Sequence, residues 1–110
     1  MDFKLGDSLM NKINFDKIYQ SAVDNETDKF FSYSIDELLH KGDYGSIKTL
    51  NQVNIGWWKW KYGESRCHIV VKAQRKLCFG FCRNYLNGIK FDVESGVVEY
   101  LSKEEIGGYD

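Results

Sequence analysis

Proline is absent from this chain of 110 residues. A Pro-rich linker is therefore excluded, and no ring interrupts a helix or a central strand. No apolar run approaches the roughly 18 residues that a bilayer-spanning helix needs. The start, Met1 to Asp7, lacks a basic segment followed by an apolar one, so no secretory signal is read there. The chain is expected in the cytoplasm, with no membrane partner. Cysteines are few: Cys67, Cys78 and Cys82. Three thiols cannot all pair within one chain, and they are expected reduced, as small buried hydrophobes.

Motifs that carry chemistry are missing as well. There is no CxxC pair, no HExxH, no GxSxG and no phosphate-cradling glycine loop. Cys67 and His68 are neighbours on an expected strand, so their side chains point to opposite faces and cannot form a dyad. Cys78 and Cys82, four apart on a strand, would stand roughly 13 Å apart and could share a zinc only across a bend at Gly80. The acidic run Asp24, Glu26 and Asp28 does not make an EF-hand. Lys29 stands where that loop needs glycine, and Ile35 where it needs glutamate. No catalytic residue, metal ligand or cofactor is expected, and the chain is read as a non-enzyme.

What is present is an ordinary globular composition, 43% hydrophobic and 28% charged, with a high aromatic share of 15%. The length suits a single domain, residues 1–110, with one core. Asp7 or Ser8 can cap a first helix carrying Leu9, Ile13, Ile18 and Ala22, with an interruption at Asn14 and Phe15. Asp24 to Asp28 reads as a loop. Ser34 and Glu37 form a capping box for a short second helix, with Tyr33 and Leu38 as a hydrophobic staple and Gly42 as its left-handed stop.

From Ser46 onward the period becomes two. Ile47, Thr49, Leu50, Val53 and Ile55 suggest a first strand. Trp58, Trp60 and Tyr62 alternate with Lys59 and Lys61, and Gly63-Glu64 reads as a tight turn into Cys67, Ile69, Val71 and Ala73. Leu77 to Leu86 reads as a central strand. Asn87-Gly88 and then Ser95-Gly96 turn it into two more, with Arg83 opposite Asp92 and Phe91 opposite Tyr100. The fold class is α+β: one or two N-terminal helices packed on a mostly antiparallel sheet of four to six strands, a meander of hairpins.

Charge is segregated. Residues 57–76 hold six cations against one acid, a net of +5, whereas residues 1–56 and 77–110 each sum to −3. With Gly63-Glu64 as the loop, Lys61 faces Arg66, Lys59 faces His68 and Trp57 faces Val70. Like charges opposed across a ladder weaken a hairpin, so a basic face of Trp57, Lys59, Lys61, Arg66, His68 and Lys72 suggests an anionic partner. It is equally readable as a solvated outer face. Trp58 and Trp60, sharing the face of Cys67 and Ile69, are expected in the core. Asp24, Glu26 and Asp28 form a second candidate surface, able to imitate phosphates in the cleft of a nuclease.

In size, α+β build, missing catalytic groups and Asn/Lys/Ile-flavoured composition, the chain resembles the small immunity proteins that bacteria make against toxin domains. The resemblance implies a protein partner, one cognate toxin domain, held by the basic hairpin or the acidic run through electrostatic steering. The main alternative is a nucleic-acid-binding module using the hairpin 57–76. The pI near 6.1 and the acidic flanks disfavour it. A phage or mobile-element encoded inhibitor would differ from an immunity protein only in its target.

Overall fold

The computed structural model describes the backbone of residues 2–49 and 52–109 and the side chains of residues 15–49 and 52–109. Helix α1 (Asp2–Ser32) and α2 (Ile35–His40) precede five strands: β1 (Tyr44–Lys48), β2 (Asn54–Lys61), β3 (Arg66–Lys76), β4 (Cys82–Asp92) and β5 (Val98–Tyr100). A last short helix, α3 (Lys103–Gly107), follows. The strands form one antiparallel sheet in the order β1-β2-β3-β4-β5. This is the α+β meander that the period switch implies.

α1 is continuous, which corrects two expectations. It begins upstream of Asp7 and Ser8, and neither Asn14-Phe15 nor the acidic run interrupts it. The reason lies in Ala22, Val23, Thr27 and Phe30, which recur at helical spacing and are all buried against the sheet. Thr27 donates its hydroxyl to the Val23 carbonyl at 2.8 Å, so its buried oxygen is satisfied. The acids between these positions are simply the outer and lateral faces of the helix.

The capping box of α2 forms as read. The Ser34 hydroxyl accepts from the Glu37 amide, and the Glu37 carboxylate accepts from the Ser34 amide, an arrangement worth about 1 kcal/mol. Leu38 is fully buried and Tyr33 packs at the edge of the core. The stop differs from the expectation. Gly42 has no left-handed φ, and Lys41 ends the helix in an extended conformation. The free carbonyls are taken up by an ammonium: Lys59 Nζ donates to Leu38, Leu39 and Lys41 at 3.3, 3.2 and 2.8 Å.

Two turns also stand elsewhere than expected. Asn87-Gly88 lies inside β4, where Gly88 pairs with Val70. A Cβ at Gly88 would lie 2.4 Å from the Ile69 carbonyl oxygen and 2.7 Å from Leu101 Cδ1. The glycine is there to let a neighbouring strand and the chain after β5 approach. The reversal between β3 and β4 is made by Cys78–Gly80, a single 3-10 turn, closed by the Leu77 amide donating to the Phe81 carbonyl at 2.7 Å. Arg83 consequently faces Arg75, and Asp92 faces Arg66. Cys78 opens this turn and Cys82 begins β4, so they share no strand, and both are exposed where burial was expected; only Cys67 is buried.

Ser95-Gly96 does lie in a turn, with Gly96 at φ +74. The loop is longer than two residues, so Phe91 faces Val98 and Tyr100 faces Ile89. The expected first strand is two strands, since Ile47 and Ile55 face each other across a turn. Leu50 lies outside the described residues.

The core sits between α1, α2 and one sheet face. It joins Val23, Phe30 and Leu38 to Ile55, Trp57, Ile69, Val71, Ala73, Ile89 and Phe91. At one end Asp16 straps the helix down. It accepts from Tyr85, from Arg75 at 3.2 Å and from Arg83 at 2.6 Å. One carboxylate thus lies between two arginines that the ladder sets face to face.

Candidate binding surface

The β2–β3 loop comprises Tyr62–Ser65 and is closed by the Tyr62 amide donating to the Arg66 carbonyl at 2.7 Å. A two-residue turn at Gly63-Glu64 would have paired Lys61 with Arg66; the observed pairs are Lys61 with Cys67, Trp60 with His68 and Trp57 with Val71. This one-residue slip exchanges the faces. Trp57 is buried, its ring 5.1 Å from that of Phe30. Trp58 and Trp60 turn to the opposite side of the sheet.

That opposite side is open over much of its area. α1 covers the other face, and α3 shields only the end near β4. Where an uncovered antiparallel face normally carries polar side chains, β1–β3 carry rings. Tyr44 is 82% exposed and faces Trp58 across the ladder. Trp60 is 52% exposed and faces His68. Tyr62 is 61% exposed and stacks on the His68 ring at 5.1 Å and 20°. Beneath them His68 Nδ1 and the Tyr109 hydroxyl share a hydrogen bond of 2.8 Å, and Tyr109 meets Trp58 edge-on at 6.5 Å.

Charged groups border this patch in pairs. Arg66 lies 3.7 Å from Asp92, and Lys90 lies 3.1 Å from Glu105 and 3.8 Å from Glu99. These pairs, with Tyr62 and His68, line a cleft of about 340 Å³. Burial holds the His68 imidazole below its ordinary value; Glu105 opposes this shift and Lys90 adds to it. On the other face burial pushes the Cys67 thiol up, against the pull of Lys59 and Lys61, which leaves it a poor nucleophile at neutral pH. Among the described residues, no group of three or more His, Cys, Asp or Glu side chains could hold a metal ion.

The residues singled out from sequence are therefore dispersed. Trp57 is core and Lys59 is a helix cap. Lys61 is exposed at the end of β2, on the side of Trp57. Arg66, His68 and the half-buried Lys72 lie on the back face with Trp60. The acidic set belongs to α1 and is engaged: Asp24 accepts from Gln20 at 2.9 Å and Asn87 at 2.8 Å. Glu26 lies 3.5 Å from Lys29, and Asp28 accepts from the Tyr100 hydroxyl at 2.7 Å. Neither the continuous basic face nor the free acidic loop exists.

Sequence reasoning missed Tyr44, Trp60 and Tyr62 as surface groups. The signal lay in loop length: five residues, 62–66, between the paired Lys61 and Cys67, centred on Glu64, put Trp60 on the side of His68. No protein-family model matches the chain, and neither a curated protein nor a solved structure matches it.

Proposed function

We propose that this chain is a non-enzymatic binding domain that holds a cognate protein on the open aromatic face, in the manner of an immunity protein masking a toxin domain. The observation that carries the reading is the row of exposed rings, Tyr44, Trp60 and Tyr62, on a sheet face with Arg66 beside them. Folding gains nothing by leaving these rings in water, whereas tryptophan, tyrosine and arginine are the side chains that dominate protein interfaces. Arg66 with Asp92, and Lys90 with Glu99 and Glu105, are already paired within the chain at the border of the patch. Such a rim gives orientation and exclusion of wrong partners more than raw affinity.

The nucleic-acid alternative loses support for a related reason. Lys59 is spent on helix carbonyls, Arg75 on Asp16 and Arg66 on Asp92, so half of the six cations of residues 57–76 are already engaged and fewer are left to neutralise phosphates. The test is a nuclease-treated pull-down from the source cells at about 0.15 M salt, where screening removes long-range attraction. A protein partner is expected, held at least ~30-fold more weakly by Trp60→Ala, as suits a hot-spot side chain worth about 2 kcal/mol. Salt-resistant nucleic acid with no protein partner would overturn the reading.

A further inference from the structure

A different feature, at the far end of the sheet, is not explained by a protein-binding face on β1–β3. The β3–β4 hairpin ends in Cys78-Phe79-Gly80-Phe81-Cys82, with Phe79 95% exposed and Phe81 68% exposed. Phe79 sits at φ 61, ψ 26 and Gly80 at φ 79. A left-handed position at a tight turn favours glycine or asparagine, and a phenylalanine there is strained. Folding supplies no reason to place this ring at that position, facing water.

The strands beneath the tip are also unusual. From Ser65 to Phe91 the sequence contains no acidic residue, yet it holds Arg66, Lys72, Arg75, Lys76, Arg83 and Lys90. Lys76 stands at the last rung of the ladder, and Arg75 with Arg83 at the rung before it, roughly 3 Å lower along the strands. By the alternation of strand side chains, the two arginines leave on the α1 side and Lys76 on the other. Asp16 offsets one of these three charges. The result is an apolar apex with a cationic collar on both sides at nearly one depth.

We propose that this hairpin tip inserts into the interface of an anionic lipid bilayer, Phe79 and Phe81 entering the acyl boundary while Lys76 on one side and the half-exposed Arg83 on the other meet headgroup phosphates. A collar on both faces fits a plane of negative charge, whereas a pocket on a protein requires complementarity only where it touches. The apex is convex, and a fluid interface can close around it without a preformed cavity. Among the described residues no helix is long and apolar enough to cross a membrane. None is required, because side chains at an interface need reach only its boundary.

The test uses the full chain and vesicle flotation, comparing phosphatidylcholine alone with phosphatidylcholine containing about 30% phosphatidylglycerol, a composition that sets the negative surface potential. Binding to the anionic vesicles is expected, weakened by raising salt from about 0.1 to 0.5 M. The double variant Phe79→Ser/Phe81→Ser should lose at least about tenfold in partitioning, and Lys76→Glu should lose part of it. Both sites are exposed, and circular dichroism is the check that the variants fold. In a parallel sample, Phe79→Trp should gain fluorescence quenching by lipids brominated in the acyl chain. Trp60→Ala should leave vesicle binding unchanged, which separates this proposal from the binding face on β1–β3. No flotation with anionic vesicles would overturn it, as would flotation indifferent to the two phenylalanines. Loss of a protein partner in the double variant, without vesicle binding, would assign the tip to a protein pocket instead.

Discussion

The indole of Trp57 occupies the space that a side chain at Gly45 would need: a Cβ there would lie 2.7 Å from ring atoms Cζ2 and Nε1. The two residues face each other across β1 and β2, so the edge strand is held close to the core by an absent side chain and a large ring. Trp57→Ala should cost about 3–5 kcal/mol of stability, the range for emptying a buried aromatic site. Trp60→Ala should cost less than about 1 kcal/mol, because half of its ring is already in water. Urea melts of the two variants check this, and the reverse order would refute the β2–β3 register.

Lys59→Met keeps the aliphatic stem but removes the donor shared by Leu38, Leu39 and Lys41. Stability should fall by about 1–3 kcal/mol, as for lost hydrogen bonds to a charged group. Amide exchange should rise most in α2. A variant with unchanged exchange there would show that the ammonium is not what closes the helix.

Gly88→Ala should destabilise by about 3 kcal/mol or more, since the new Cβ meets backbone that cannot move aside. Gly107→Ala is the control, because nothing lies within 4 Å of a Cβ there. If Asn87-Gly88 were a hairpin turn, no proton contact would join Gly88 to Val70; a nuclear Overhauser effect between them is expected.

Acid should weaken the fold in two separate steps. His68 titrates below its ordinary 6.5 in the folded chain, so the unfolded chain binds the proton more readily. Its neutral form supports the fold above 6.5, and stability falls as pH drops from there toward the folded value. The groups about it are Tyr62, Lys90, Glu105 and Tyr109. Glu105 is held below its ordinary 4.5, first by the Ser102 backbone amide and also by Lys90. Its contribution is present above 4.5 and lost at lower pH. Denaturant midpoints between about pH 7 and 5 should decline, and His68→Gln should flatten that decline while leaving the lower step in place.

Much of the architecture is legible in the sequence because it rests on local rules. The Ser34–Glu37 box and the switch from helical to alternating period each depend on residues close in the chain. What fails to be legible depends on distant packing. Asn87-Gly88 has the composition of a turn, but Ile69, Val70 and Leu101 need its missing side chain in mid-strand. The acids after Val23 look like a loop until Thr27 and Phe30 are seen to bury beside it. The candidate site suffered most, because its placement hung on one residue of loop length near Gly63, and alternation carried that single error to every side chain of β2.

The strands lie beside one another in the order in which they leave the chain, joined by connections of no more than five residues. The entropy of closing a loop grows with its length, so each rung of the sheet closes at small cost. Seating α1 is another matter, since Asp16 meets Arg83 across 67 positions. Long-range closure is thereby concentrated in one event, the arrival of a single helix, and that helix covers the apolar side over β3 and β4. A chain with zipped strands and an unseated helix would lay Ile55, Ile69, Val71 and Ile89 bare together. The interval between those two events is the period in which one copy is most prone to stick to another.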